Sequence, residues 1–338
     1  MNKSRMMVPL AAAMAAVVGF GPQAGAQPRE ETSLALPALT AFFASTYIAA
    51  DAGFWTKHGL DVKLTQITGI GAMNAVLSSS VDFSNSSGPS IIRSNIRGQK
   101  LVAIGSTLDA LPFELVVRKS IADAAGLTLK TPIEKRVAAL KGKKVSVDSP
   151  NTIVHGWLRY FDRKGGMSAE RDMTVAMMQP ETALAGLKSG DIDGAVLSTP
   201  FSAAAERQGT GTIIASSLAG DFPEMLPFTF NIIPARPGFC DQKPSVCQKL
   251  MDGYFDAMNY IQDNPKESLA ILQKRMAGID PTDLASAFEH VRRWTPRTTK
   301  VIPAGLEHSQ ELMLAGQMIK DDEKMSSFDS IYTNKFTK

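Results

Sequence analysis

The chain has little of what most enzyme chemistry is built from: its 338 residues include four histidines and two cysteines. His58, His155, His290 and His308 are scattered, and none lies four positions from another. That spacing excludes a His-Glu-x-x-His helix and any zinc cluster of ordinary pattern. No Gly-x-Ser-x-Gly elbow and no Walker-type loop occurs, which removes the commonest hydrolase and nucleotide-hydrolysing motifs. An excess of one charge sign is also lacking, because 36 Lys and Arg face 33 Asp and Glu for a formal net charge of +3. The signs are interspersed, so there is no nucleic-acid stripe, acidic tail or polybasic membrane patch. Neither a nucleic-acid partner nor a metal or cofactor is expected. Beyond the first 20 residues no run is long and apolar enough to span a bilayer.

What is present begins at the amino terminus. Lys3 and Arg5 precede an apolar run over 6–20, and Ala24-Gly25-Ala26 follows with the small-x-small pattern of a cleavage site. This reads as a signal peptide over 1–26, leaving Gln27 as the mature start. The run is shorter than the roughly 20 residues a membrane anchor needs. Gln27 stands where a lipoprotein would carry Cys, so a soluble periplasmic product is expected. In an oxidising compartment the local pair Cys240 and Cys247 reads as a disulfide closing a small loop. A chain of this length exceeds what one hydrophobic core normally serves, which points to two lobes.

From residue 32 onward the pattern alternates strand and helix, the signature of an α/β fold with mainly parallel sheets. Strands are expected at 33–36, 61–67, 81–84, 101–106 and 113–118, with helices over 45–57 and 72–79 and another ending at 97. A second cycle follows, with strands at 144–147, 173–177 and 194–197 and helices over 152–164 and 181–189. A shift of 111 positions places Asp172 on Asp61, Val175 on Leu64, Ala183 on Ala72, Leu187 on Val76, Ile192 on Val81 and Asp193 on Asp82. Two lobes on one plan are therefore expected, lobe one from 27–117 and 225–338 and lobe two from 118–224. The tail reads as helices over 249–263, 266–276 and 281–294. Two crossings, near 113–119 and 223–233, would form the hinge, where a few residues absorb the rotation of closing domains.

Two such lobes leave a cleft lined by strand carboxyl ends and helix amino ends, where open α/β sheets bind ligands. Gly69-Ile70-Gly71 lies between a strand and a helix, with Asn74 where a dinucleotide fingerprint would have its third glycine. The glycines either expose helix-start amides to an anion or polar head, or only permit a tight turn. Ser149, Asn151 and Thr152 offer the same facility from the second lobe, or an ordinary N-cap. Phe42 and Phe43 contact ligand or staple the following helix. Ser86, Ser87, Thr107, Ser198 and Thr199 place hydroxyls on strand ends facing the cleft, where turn and cap roles explain them equally. His155, one turn into its helix, is a contact candidate or a part-buried helix histidine.

The stretch Tyr47-Ile48-Ala49-Ala50-Asp51-Ala52-Gly53-Phe54-Trp55-Thr56-Lys57-His58-Gly59-Leu60-Asp61-Val62 resembles a known family. So do Val81-Asp82-Phe83, Leu101 to Ser106, Leu140-Lys141-Gly142-Lys143-Lys144-Val145, Ala185 to Asp193, and Ile261 to Glu267. Together they are similar to the type II periplasmic binding proteins of the nitrate/sulfonate/taurine and thiamine-precursor (NMT1/THI5-like) group. The resemblance implies a two-lobed binding protein, not an enzyme. It would close as a monomer on a small organic solute and dock on the permease subunits of an ABC importer. By position, the family's ligand loops fall on Thr40 to Phe43, Gly69 to Gly71, Ser86-Ser87, Thr107, Ser149 to Thr152, and Ser198-Thr199. These loops hold no Arg or Lys, which disfavours nitrate and suits an organic carboxylate or sulfonate, aromatic or aliphatic. Two rivals accompany the resemblance. One is a sensor docking on a signalling receptor. The other is an enzyme like the thiamine-pyrimidine synthases, whose cysteine-rich site motif this chain lacks.

Overall fold

The computed structural model describes residues 1, 28–150 and 152–338; the expected signal segment and Asn151 lie outside the described residues. Strand β1 (Glu30–Leu36) buries Leu34, Ala35 and Leu36 and enters a 3-10 turn at Ala41–Phe43. Helices α1 (Ala44–Asp51) and α2 (Phe54–Lys57) then replace the single helix expected over 45–57. The break falls at Gly53, whose φ of +75° only glycine adopts cheaply. Then come β2 (Leu60–Gln66), α3 (Gly71–Leu77), β3 (Phe83–Ser84), α4 (Gly88–Ile96) and β4 (Val102–Leu108).

The second lobe is built from β5 (Glu114–Arg118), α5 (Lys119–Ala125), α6 (Ile133–Ala138), β6 (Lys144–Val147), α7 (Ile153–Lys164), α8 (Ala169–Asp172) and β7 (Thr174–Met177). It continues with α9 (Pro180–Ser189), β8 (Gly194–Leu197), α10 (Phe201–Arg207) and β9 (Gly211–Ser216). The chain returns through β10 (Asn231–Ala235) and ends in α11 (Phe239–Gln242), α12 (Pro244–Asp263), α13 (Pro265–Arg275), α14 (Pro281–Trp294) and α15 (Pro303–Ala315). Cys240 of α11 and Cys247 of α12 form the expected disulfide, with Cα atoms 5.7 Å apart. Among the described residues no helix is long and apolar enough to cross a membrane.

Strands β2-β1-β3 pair in parallel and β10 pairs antiparallel with β4. A bridge between Ser86 and Ile232 joins the two groups, giving the order β2-β1-β3-β10-β4 across the first lobe. The second sheet has the order β7-β6-β8-β5-β9, with β6, β7 and β8 parallel and β5 antiparallel to both neighbours. Both sheets are thus mixed. The reversed strands β5 and β10 are those that carry the chain in from the other lobe, so each starts at the facing edge and runs away from it.

The internal repeat holds at the level of register. Ser33 pairs with Lys63 and Leu34 with Phe83, while 111 positions on Lys144 pairs with Thr174 and Val145 with Gly194. Even the buttress recurs. The Asp82 carboxylate accepts from the Ser33 N–H at 3.3 Å and faces Arg236, and the Asp193 carboxylate accepts from the Lys144 N–H at 2.9 Å and pairs with Arg118.

Each sheet has its own core. Tyr47, Trp55, Tyr254 and Phe288 are buried in one, and Trp157, Phe161, Phe222 and Phe228 in the other. Helix α15 belongs to both lobes, since Leu306 and Met313 pack into the first-lobe side and Leu312 into the second. At its end Gly316 touches Gly156 of α7 so closely that a Cβ there would sit 2.5 Å from the Gly156 Cα. Arg207 of α10 forms a two-pronged bridge to Asp283 of α14, both contacts 2.8 Å, adding a second tie between the lobes.

Candidate functional site: the interlobe cleft

Topology fixes which edges face each other. Strand β10 is antiparallel to β4 and bridges antiparallel to Ser86, so β4 runs with β1, β2 and β3 and ends at their carboxyl edge. From Leu108 the chain crosses to Glu114, which pairs with Leu197 at the end of β8 and Ser216 at the end of β9. The carboxyl edges of the two sheets therefore face one another, with the hinge at β4, β10, β5 and β9. The two crossings are bonded together, the Phe228 N–H to the Asp109 carbonyl at 2.9 Å and the Phe230 N–H to the Leu108 carbonyl at 3.0 Å. Strands β2 and β7 lie at the far ends. At about 4.8 Å per strand, four spacings put the mouth roughly 19 Å from the hinge.

An aromatic row closes the hinge end. Phe42 meets Phe230 edge-on with centroids 5.8 Å apart, and Phe230 meets Phe113 likewise at 6.0 Å. Phe42 belongs to the first core, Phe113 to the second, and Phe230 touches both. The Asn231 amide ties in the turn by donating to the Phe42 carbonyl at 2.6 Å. Phe43 is buried beside Phe42, and Thr107 is buried on β4. Asp109, in the first crossing, accepts from the Ser106 hydroxyl at 2.7 Å. Burial pushes its carboxyl up to about 6, against the pull of that hydroxyl.

The helix starts are less open than the sequence suggests. The N–H groups of Gly69, Gly71, Ser86 and Gly88 donate to the carbonyls of Pro37, Thr68, Ile232 and Thr229. Of the two readings open for Gly69 and Gly71, these bonds favour the tight turn. Gly69 serves the turn, with φ +59°, and a Cβ on Gly71 would press to 3.1 Å from Ile67. Ile70 between them is 68% exposed. Thr40 accepts from the Phe42 N–H and Ser87 from the Ser90 N–H, so both act as caps. On the second lobe the Thr152 hydroxyl accepts from the His155 N–H and donates to Asp148 at 2.6 Å. Asp148 also takes the Ser149 N–H at 2.7 Å, so the chain's own carboxylate sits at the start of α7. His155 is buried and turned to α8, its ring 3.1 Å from Glu170. Burial holds its imidazole below the ordinary value, with Arg159 adding to the effect and Glu170 opposing it.

Among the described residues, besides the Ser84 hydroxyl that ends β3, two buried polar atoms just beyond the strands at the facing edges have no partner. One is the Asn85 Oδ1 just beyond β3, whose amide nitrogen donates to Thr46 at 2.8 Å. The other is the Thr199 hydroxyl just beyond β8, on a residue 2% exposed, with Ser198 half-buried beside it. A buried polar atom without a hydrogen bond costs stability; the Thr199 hydroxyl can donate to an anionic head, whereas the Asn85 oxygen can only accept. Asn85, Asp148, Phe113 and Phe230 were not singled out from the sequence. The one available signal was a phenylalanine at each crossing. Among the described residues no cluster suited to a metal ion occurs.

Two mixed sheets with facing carboxyl edges and a two-crossing hinge define the type II periplasmic-binding-protein fold. The match to the NMT1-like family covers residues 25–276, and the chain belongs to that family. A Brucella abortus binding protein is 27% identical over 232 residues, 68% of this chain and 66% of that relative's length. Among solved structures, a Bordetella bronchiseptica protein superposes with a TM-score of 0.73 at 21% identity, covering 91% of this chain and 96% of that one. The periplasmic aliphatic sulphonate-binding protein SsuA of Escherichia coli does so with a TM-score of 0.67 at 19% identity, covering 86% of each chain. The desulfurization enzyme DSZB shares the fold as well, with a TM-score of 0.66 at 15% identity over 91% of this chain and 97% of that one. The fold alone therefore does not separate binding from catalysis.

Proposed function

We propose that this protein is the periplasmic solute-binding component of an ABC importer, capturing a small organic carboxylate or sulfonate between its lobes. The lobes would divide as expected from the sequence, except that β5 (Glu114–Arg118) pairs within the second sheet and so goes with lobe two; the segment 1–26 would be removed on export, and the permease subunits would be the partners. The observation that carries the reading is the pair of facing carboxyl edges, with the unpaired buried Thr199 hydroxyl just beyond β8 able to donate to an acid head. The edge loops hold no Lys or Arg, so an acid head would be met by O–H and N–H groups, as suits a singly charged organic anion. Membership of the NMT1-like family and the SsuA-type fold support the transport role. Both cysteines are spent in the disulfide, leaving no thiol for cysteine-based turnover.

A thermal-shift screen over carboxylates, sulfonates, pyrimidines and nitrate tests the reading. A true ligand at a hundredfold excess over its dissociation constant should stabilise the protein by about 2.7 kcal/mol. Thr199→Val keeps the shape and removes the hydroxyl, and should weaken binding roughly tenfold, the net worth of one hydrogen bond. Turnover of a screened compound, with no shift in the melt, would overturn the proposal.

A further inference from the structure

Few large apolar side chains are left exposed among the described residues. Apart from the terminal Met1, the large hydrophobic side chains left exposed among the described residues are Leu39 (49%), Ile70 (68%), Leu129 (38%) and Met177 (44%). Three of these four follow or end strands at the facing edges: Leu39 after β1, Ile70 after β2, and Met177 at the end of β7. The loops bearing Leu39 and Ile70 are held together, the Gly69 N–H donating to the Pro37 carbonyl at 3.1 Å and the Ile67 N–H to the Leu36 carbonyl at 2.9 Å. Strands β2 and β7 end their sheets on the side away from the hinge. The three side chains thus stand on opposite lips of the mouth, two on the first lobe and one on the second.

We infer that Leu39, Ile70 and Met177 form a hydrophobic lip that closes over the apolar part of the solute and selects for chain length. The inference rests on the solute-binding reading above and deepens it by assigning the residues that set ligand size. Exposed apolar groups are tolerated singly, but Leu39 and Ile70 stand on loops bonded to each other, and neighbouring exposed apolar groups mark a contact site. Because the lip draws on both lobes, it is complete only when they close, and closure is what a ligand must stabilise. It is also continuous with the polar part of the cleft, for Leu39 adjoins Thr40 and Ile70 lies between the turn glycines. Met177 adds a flexible, polarizable side chain that adapts to ligands of differing shape. The ligand is therefore an organic acid with its head toward the hydroxyl-bearing edges and several carbons reaching to the mouth.

The test is a homologous series of straight-chain carboxylates and sulfonates of increasing length, titrated calorimetrically into wild type, Leu39→Ser, Met177→Ser and the double variant. Circular dichroism and the ligand-free melt establish that each variant is folded. In wild type, affinity should rise about fourfold per added methylene over the lengths that reach the lip. In the double variant the gain should fall below about twofold per methylene, a change of slope and not a uniform loss. Equal slopes in both proteins, or an even loss at every length, would overturn the lip while leaving the organic-acid reading in place. If wild type binds no member of the series but binds an aromatic acid in the thermal-shift screen, the lip is refuted; if it binds neither, the organic-acid reading fails and the lip with it. Should the variants bind the series like wild type yet fail to support import by reconstituted permease and ATPase, the three side chains belong to a permease contact instead, and the inference is refuted.

Discussion

Replacing Asp162 by Asn should erase a pH dependence of stability that the wild-type fold builds into α7. Asp162 is 0% exposed, and neither carboxyl oxygen has a hydrogen-bond partner. Burial, reinforced by the nearby Glu170 and Asp172 carboxylates, pushes its carboxyl up to about 8. In an unfolded chain the same group titrates near 3.9. Between about pH 4 and pH 8 the unfolded state has therefore lost a proton that the folded state keeps, so stability falls as pH rises through that window and levels off above it. Each pH unit inside the window costs about 1.4 kcal/mol, so going from pH 5 to pH 8 removes roughly 4 kcal/mol. Asn has nearly the same shape and does not titrate. Its amide N–H groups also lack partners, which adds an offset of about 1–3 kcal/mol at every pH, so the informative quantity is the slope. Urea unfolding of both proteins from pH 5 to pH 8.5 gives the comparison. The difference in unfolding free energy should shift toward the variant by roughly 4 kcal/mol across that range. Two parallel curves would refute the reasoning and mean that Asp162 is ionised in the native state.

Two further outcomes follow from packing and covalent closure. Reducing the Cys240–Cys247 bond, or replacing both by Ser, should lower stability by about 2–3 kcal/mol through the freed small loop, read as a lower urea midpoint. Gly316→Ala should destabilise by at least about 1–3 kcal/mol, because its Cβ would meet the backbone of Gly156 and force α7 and α15 apart. A melt indistinguishable from wild type would show that this helix contact yields freely.

The alternation of strand and helix was legible in the sequence because each element carries its own period and its own stop signal. Strands β6 and β8 and helix α14 fall on the expected residues. The repeat at a shift of 111 also proved to be a statement about space, since the pairing register of β1, β2 and β3 recurs in β6, β7 and β8. Gly53 could have been read as a break, but the apolar residues on either side of it continue the helical pattern.

What lay beyond the sequence was every contact between residues far apart along the chain. The amides of Gly69 and Ser86 turned out to be bonded to Pro37 and Ile232, and no local pattern announces such a partner. The row Phe42, Phe230 and Phe113 joins residues from three separate passes across the hinge. Likewise α15 serves both cores at once, and Asp162 looks like any polar helix residue until α8 and its acidic side chains are packed beside it. Sequence alone determined the local elements, the compartment expected and the doubled plan. Tertiary structure decided which polar groups remain unsatisfied and which apolar ones remain uncovered, because burial depends on the neighbours that folding brings in from elsewhere.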